Sequence, residues 1–222
     1  MQKFDTPAPV LTVLDIPAGR IQFVAADRAD TTVEVLPADS SKSRDVQAAE
    51  EIVVGYGDGV LRIGAPEAKN RLLGHSGSVT VTVRLPAGSR VEAKAADAEL
   101  RSSGRLGDVT FEGAQARVEF DEVDGARLKV MAGDVSVRRL AGSAEISTQK
   151  GDITLAEAVQ GTVTLRTESG AISVGAASGV SAALDAATSY GRVHNALKNA
   201  DGTPGLNIHA STSYGDITAR SL

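Results

Sequence analysis

A chain of 222 residues with a net charge of −5 and no cysteine fits one domain or two small ones; it leaves out disulfides, cysteine-ligated zinc, iron–sulfur clusters and thiol catalysis. At 23% charged residues it is too apolar to be disordered, it has no basic block to suit nucleic acid, and no apolar run is long enough for membrane insertion as a helix. Four Phe, three Tyr and no Trp against 23 Gly predict a thin core of Val, Ala, Leu and Ile, with little space for rings. The start, Met1 to Pro7, shows no apolar segment behind a basic cluster, so no secretory leader is read there and a cytoplasmic location is expected.

The first part of the chain is rich in strand signals. Alternation predicts strands over Val10–Ile16, Arg20–Ala25, Thr31–Leu36, Ile52–Tyr56, Val60–Gly64 and Ser78–Leu85. Gly57-Asp58-Gly59 reads as a hairpin link. Ile16-Pro-Ala-Gly19 and Leu85-Pro-Ala-Gly88 read as two near-identical turns. Ser43–Glu51 is the one good helix segment, with Ser43 placed as its N-cap. Glu67–Gly77, with Lys69, Arg71 and His75, lacks periodicity and reads as a mobile loop.

From about residue 90 a repeat of roughly 18 residues sets in. Its apolar positions alternate in pairs: Leu128/Val130, Val135/Val137, Ala144/Ile146, Ile153/Leu155, Val163/Leu165 and Ile172/Val174. Lys, Ser, Glu, Thr and Arg lie between them, so each strand turns one apolar row inward and one polar row outward. A glycine opens the second strand of each unit, at Gly133, Gly151, Gly170, Gly191 and Gly215. Asp134, Asp152 and Asp216 follow three of these glycines. Glycine tolerates a corner's backbone angles, and Asp can bond its own turn.

One such unit cannot bury its apolar row, whereas stacked units bury a continuous one. The expected fold is therefore all-β: a two-sided β-solenoid over residues 90–222, preceded by an irregular N-terminal β region with one short helix, residues 1–89. That region is placed to cap the first coil. An antiparallel sandwich of hairpins is the alternative. Lys198–Gly205 reads as a surface insertion. The last unit, Leu206–Leu222, has no comparable cap and is expected as an exposed edge or as an edge paired with another chain.

The Asp5-Thr6-Pro7 start, the Leu-Pro-Ala-Gly-Ser turn at 85–89, and the serial Gly-Asp-Ile/Val strands ending in Thr-Ser-Tyr-Gly-Asp-Ile-Thr at 212–218 resemble one bacterial family. It is the family of β-strand-repeat proteins labelled putative adhesin, built on a domain of unknown function. The short, soluble actinobacterial members are the most similar. The resemblance spans essentially the whole chain. It implies a β-solenoid-like fold and brings no catalytic residues. The chain departs from the Gly-Asp pattern at Ala171 and Arg192, so an unbroken Asp ladder is absent.

The chemistry is sparse. Calcium needs six to eight oxygens, and its β-roll motif Gly-Gly-x-Gly-x-Asp is missing, so the corner Asp residues read as turn caps. His75, His194 and His209 are dispersed and do not suggest a zinc site. Neither a Gly-x-Ser-x-Gly elbow nor a phosphate-binding loop occurs. A polysaccharide-acting β-helix enzyme is the remaining enzyme alternative; it needs a cleft built by long loops, and the connections here are short except at 66–77 and 198–205, which leaves little room for one. Tyr190 and Tyr214 occupy equivalent Ser-Tyr-Gly corners and would meet on one edge if the units stack. The sequence thus points to a non-enzymatic interaction or scaffold protein without cofactors or metal. Its partner would be an unknown protein or glycan, or a second copy met through the C-terminal coil.

Overall fold

The computed structural model describes residues 1–65, 77–199 and 203–222. The loop read over Glu67–Gly77 lies outside these residues except for Gly77, as does the middle of the 198–205 insertion. The chain is nearly all β. β1 (Gln2–Asp5), β2 (Leu11–Ala26) and β3 (Asp30–Pro37) precede α1 (Ser43–Glu51), and β4 (Val53–Gly57) and β5 (Val60–Gly64) follow it. β6 (Val79–Pro86) leads into the long strands β7 (Arg90–Ser103) and β8 (Arg105–Ala132). Shorter strands complete the chain: β9 (Val135–Leu140), β10 (Ala144–Lys150), β11 (Ile153–Ala158), β12 (Gly161–Ser169), β13 (Ile172–Ala176), β14 (Ala182–Tyr190), β15 (Val193–Ala196), β16 (Leu206–Tyr214) and β17 (Ile217–Ser221).

Two details of the first part differ from the sequence reading. Ile16-Pro-Ala-Gly19 does not break the chain into two strands; it runs inside the continuous β2. Gly19 there has φ +142°, and a Cβ on it would lie 1.8 Å from the Val79 carbonyl oxygen, so a close backbone crossing replaces the expected turn. At α1, Lys42 occupies the N-cap position without a side-chain hydrogen bond, and Ser43 is already helical. The helix is fixed instead by Asp45, which is buried and accepts the Ser78 N–H at 2.9 Å.

Parallel pairing begins within the first ninety residues. β2 pairs in parallel with β7, Leu11 opposite Arg90 and Gly19 opposite Ala98. On its other side β2 pairs with β5 and β6, beyond which β4, β3 and β1 run antiparallel. α1 packs on β3 and β6. This antiparallel group and the helix cover one end of the parallel stack.

The rest of the chain stacks in register. Val91 lies opposite Val109, Ala126 opposite Ala144, and Val135 opposite Ile153. One apolar column runs Val118, Val135, Ile153, Ile172, Ile217, Val193. Another runs Leu128, Ile146, Leu165, Ala210, Ala186. Most members are buried, and full burial of each Ile or Leu contributes about 1.5–3 kcal/mol. The interior also holds rings: Phe23 and Phe111 are fully buried, against the expectation of a core too thin for them. Gly113 makes the space, since a Cβ there would fall 2.8 Å from two Phe111 ring carbons.

The order of the last two coils is not the order of the chain. β12 pairs with β16, and β16 with β14. Likewise β13 pairs with β17, and β17 with β15. Leu206 thus faces Gly161 on one side and Ala182 on the other. The expectation that the last unit forms the exposed edge is therefore corrected: residues 206–221 are internal, and β14 with β15 forms the edge. Inward residues explain the exchange. Leu206, Ile208, Ala210, Ile217 and Ala219 are all buried. The corresponding row of the outer coil contains Asn195, whose side chain accepts the Leu197 N–H in an exposed local turn. An internal position would strip such a side chain of solvent, at a cost of about 1–3 kcal/mol if left unpaired.

Candidate functional site

The corner residues form one continuous column. A Cβ on Gly151 would fall 2.1 Å from the Gly133 oxygen, and one on Gly170 would fall 2.0 Å from the Gly151 oxygen. Gly215 stands in the same relation to Gly170, and Gly191 to Gly215. Backbone passes this close only where no side chain intervenes. Gly133 and Gly151 also have φ of +133° and +143°, which side-chain-bearing residues rarely adopt.

The corner Asp residues bond across coils, not to their own turns. Asp134 accepts the Asp152 N–H at 2.9 Å, and Asp152 accepts the Ala171 N–H at 2.7 Å. Ala171 has no acceptor to continue the chain. The series resumes at Asp216, which accepts the Arg192 N–H at 2.8 Å and pairs with its guanidinium at 3.2 Å. The Arg192 N–H first, and its guanidinium second, hold the Asp216 carboxyl below its ordinary value of 3.8.

A threonine ladder backs these corners. Thr167 donates to the Gly151 oxygen at 3.1 Å, Thr212 to Gly170 at 3.1 Å, and Thr188 to Gly215 at 3.0 Å. Thr148 reaches Gly133 at 3.4 Å. Sequence reasoning missed this ladder, although its signal is present: a threonine stands three residues before each of Gly151, Gly170, Gly191 and Gly215.

Tyr190 and Tyr214 occupy the rim beside the last corners. Register places them directly opposite each other. Their rings stack with centroids 4.9 Å apart and planes 4° from parallel. They are 68% and 58% exposed. A shallow depression of 370 Å³ lies alongside, lined in part by Arg166, Glu168, Ser189, Ser211 and Ser213. His209 faces Asp185 across the same strands at 3.4 Å, while His194 lies apart on β15. Among the described residues, no group of three or more His, Asp and Glu gathers as a metal would require. No helix among them is long and apolar enough to cross a membrane.

Stacked parallel strands, glycine corners and a polar exterior define a β-solenoid protein. The sequence profile of the Toastrack DUF4097 family matches residues 16–220, and the chain belongs to that family. This is the putative-adhesin family of unknown function that the sequence resembles. Among solved structures it is similar to a putative adhesin from Parabacteroides distasonis ATCC 8503, at 13% identity, covering 98% of this chain and 95% of that one with a TM-score of 0.52. A putative adhesin from Bacteroides fragilis NCTC 9343 is similar at 12% identity, covering 98% and 95%, with a TM-score of 0.50. At such identities the likeness shows the fold alone. No curated protein matches the chain in sequence.

Proposed function

We propose that the chain is a non-catalytic, adhesin-like interaction scaffold, whose contact surface for a partner protein or glycan lies around Tyr190 and Tyr214. The stacked, exposed pair is the observation that carries this reading. Rings already held against each other lose little freedom on binding, and aromatic residues of this kind anchor interfaces. The scaffold itself is read as a two-faced coil of about 18 residues per turn. The two apolar columns and the Val91–Val109 register support that geometry. The shallow depression beside the tyrosines suits surface contact better than an enclosed reaction. A cytoplasmic location is part of the same proposal, and fractionation of the native host tests it.

Binding is tested against a glycan array and surface-protein fractions, with wild type beside Tyr190→Ala and Tyr214→Ala. A ligand whose affinity drops about tenfold or more in both variants, at unchanged melting temperature, supports the reading. Binding indifferent to both tyrosines overturns the assignment of the surface. Saturable turnover of any polysaccharide, abolished by one carboxylate substitution, overturns the non-catalytic part.

A further inference from the structure

The two ends of the stack differ. At one end lie α1 and two short outer strands, β1 and β4, of four and five residues. At the other, β14 and β15 form a complete coil whose outer side is open beyond Ala182, where the Lys198 carbonyl accepts the Ala182 N–H at 3.2 Å. The Ser181 carbonyl accepts from Gly205 and Leu206, which turns the odd-numbered backbone groups of early β14 toward β16. By strand alternation the N–H groups of Leu184 and Ala186 point outward. The Arg192 carbonyl accepts from Ile217, so the Val193 N–H on β15 also points outward. Among the described residues, no strand pairs with this side.

Exposed edges are normally guarded by proline, lysine, bulges or a covering element. From Ala182 to Ala196 the chain has neither proline nor lysine, and its charged residues there are Asp185 and Arg192, the latter paired with Asp216 of the adjoining coil. Val193, which continues the buried column through Ile217 and Ile172, is 46% exposed. The inward residues Leu184 and Ala186 are only half-buried, and Tyr190 has one ring face free of Tyr214. An occupant of this end must present two β-strands and an apolar row between them. Within the chain a two-strand coil already seats on coil 182–196, there in parallel, where coil 206–221 sets Tyr214 against Tyr190.

We propose that this open end is the interface between two copies of the chain, joined coil edge to coil edge as antiparallel strands about a two-fold axis. The inference rests on the interaction-scaffold reading and names one partner for it. Two identical tails related by a two-fold reverse their strand directions and use the same residues on both sides. Each copy has one such tail, and β1 and β4 do not reproduce its two-strand outline. Association therefore stops at a pair and does not grow into a filament.

Sedimentation equilibrium of the full chain, beside Val193→Lys and Ala186→Pro, tests this. The Lys variant keeps the half-exposed position soluble and sets like charges against each other, so it guards against a failure of the Pro variant to fold. The expected result is a wild-type dimer that both variants weaken about tenfold or more, with no species larger than two copies. Because the chain has no cysteine, one spin label at Ser189→Cys or at Asp58→Cys reports the arrangement. A short label distance at 189 and a long one at 58 are expected. A wild type that stays monomeric to about 1 mM overturns the pairing, as does a dimer indifferent to both variants or one with a short distance at 58. A monomer that still binds a Tyr190-dependent ligand defeats the pairing and leaves the scaffold reading intact; a tail-to-tail dimer with no other ligand defeats that reading's protein-or-glycan surface and leaves the pairing.

Discussion

The carboxylate of Asp216 accepts the backbone N–H of Arg192 at 2.8 Å, although Arg192 lies 24 residues earlier in the chain. The later coil therefore holds the earlier one in place. Replacing Asp216 by Ala removes the acceptor, and amide exchange at Arg192 should quicken about tenfold while the Ile153 amide inside the stack keeps its protection. Nuclear magnetic resonance of exchanging amides measures both. Equal loss at the two positions would mean that the corner is not local.

The same carboxyl sets a pH dependence. Folding lowers its titration below the ordinary 3.8, chiefly through the Arg192 N–H. A carboxyl lowered by folding contributes its stabilisation above the ordinary value and loses it as pH falls through the folded one. Protection of the Arg192 amide should be full near neutrality and decline below about pH 4. Asp216→Asn keeps an acceptor without the charge and should flatten that decline. An identical acid profile in the Asn variant would assign the loss to other carboxyls.

The glycine column makes a paired prediction. Gly151→Ala places a methyl 2.1 Å from the Gly133 oxygen and should cost about 3 kcal/mol in denaturant unfolding. Gly59 also has a positive φ, but nothing lies within 4 Å of its Cβ position. Gly59→Ala should cost only about 1 kcal/mol, the conformational part alone. Equal losses would show that crowding does not matter at the corners.

Two buried threonines should respond oppositely to the same substitution. Thr167→Val removes the bond to the Gly151 oxygen and should cost about 1 kcal/mol. Thr12 is fully buried and its hydroxyl has no partner. Thr12→Val should be neutral or stabilising by up to about 1 kcal/mol. A destabilised Thr12 variant would reveal a hydrogen bond at that site.

Phe111 and Gly113 should be coupled. Gly113→Ala pushes a methyl against the Phe111 ring and should cost about 2 kcal/mol, whereas the double variant with Phe111→Leu should recover part of that loss. Simple additivity in a double-mutant cycle would refute the fit between ring and glycine.

Local pattern made the strands and corners readable. Alternation at Val135/Val137 or Ile153/Leu155 tells which side of a strand faces inward, and glycine marks where the backbone must turn. Family membership followed from the same motifs. Less readable was anything fixed by a neighbour: the room for Phe111 depends on Gly113 inside the fold, and the Asp and Thr ladders need the adjacent coil as acceptor or donor. The stacked tyrosines lie between these cases, since their equivalent corners were visible but their 4.9 Å contact required the register.

The sequence by itself determined short alternating strands with glycine corners, because strand alternation and corner spacing are properties of a few consecutive residues; that they stack as parallel coils and not as a sandwich of hairpins needed the strand pairing itself. Only the tertiary structure decided the order of the last coils. Thr188-Ser-Tyr-Gly191 and Thr212-Ser-Tyr-Gly215 offer the same local fit to a neighbouring coil. Burial over the whole stack separates them: the row from Leu206 to Ala219 is apolar enough for an internal place, and the row ending at Asn195 is left at the edge.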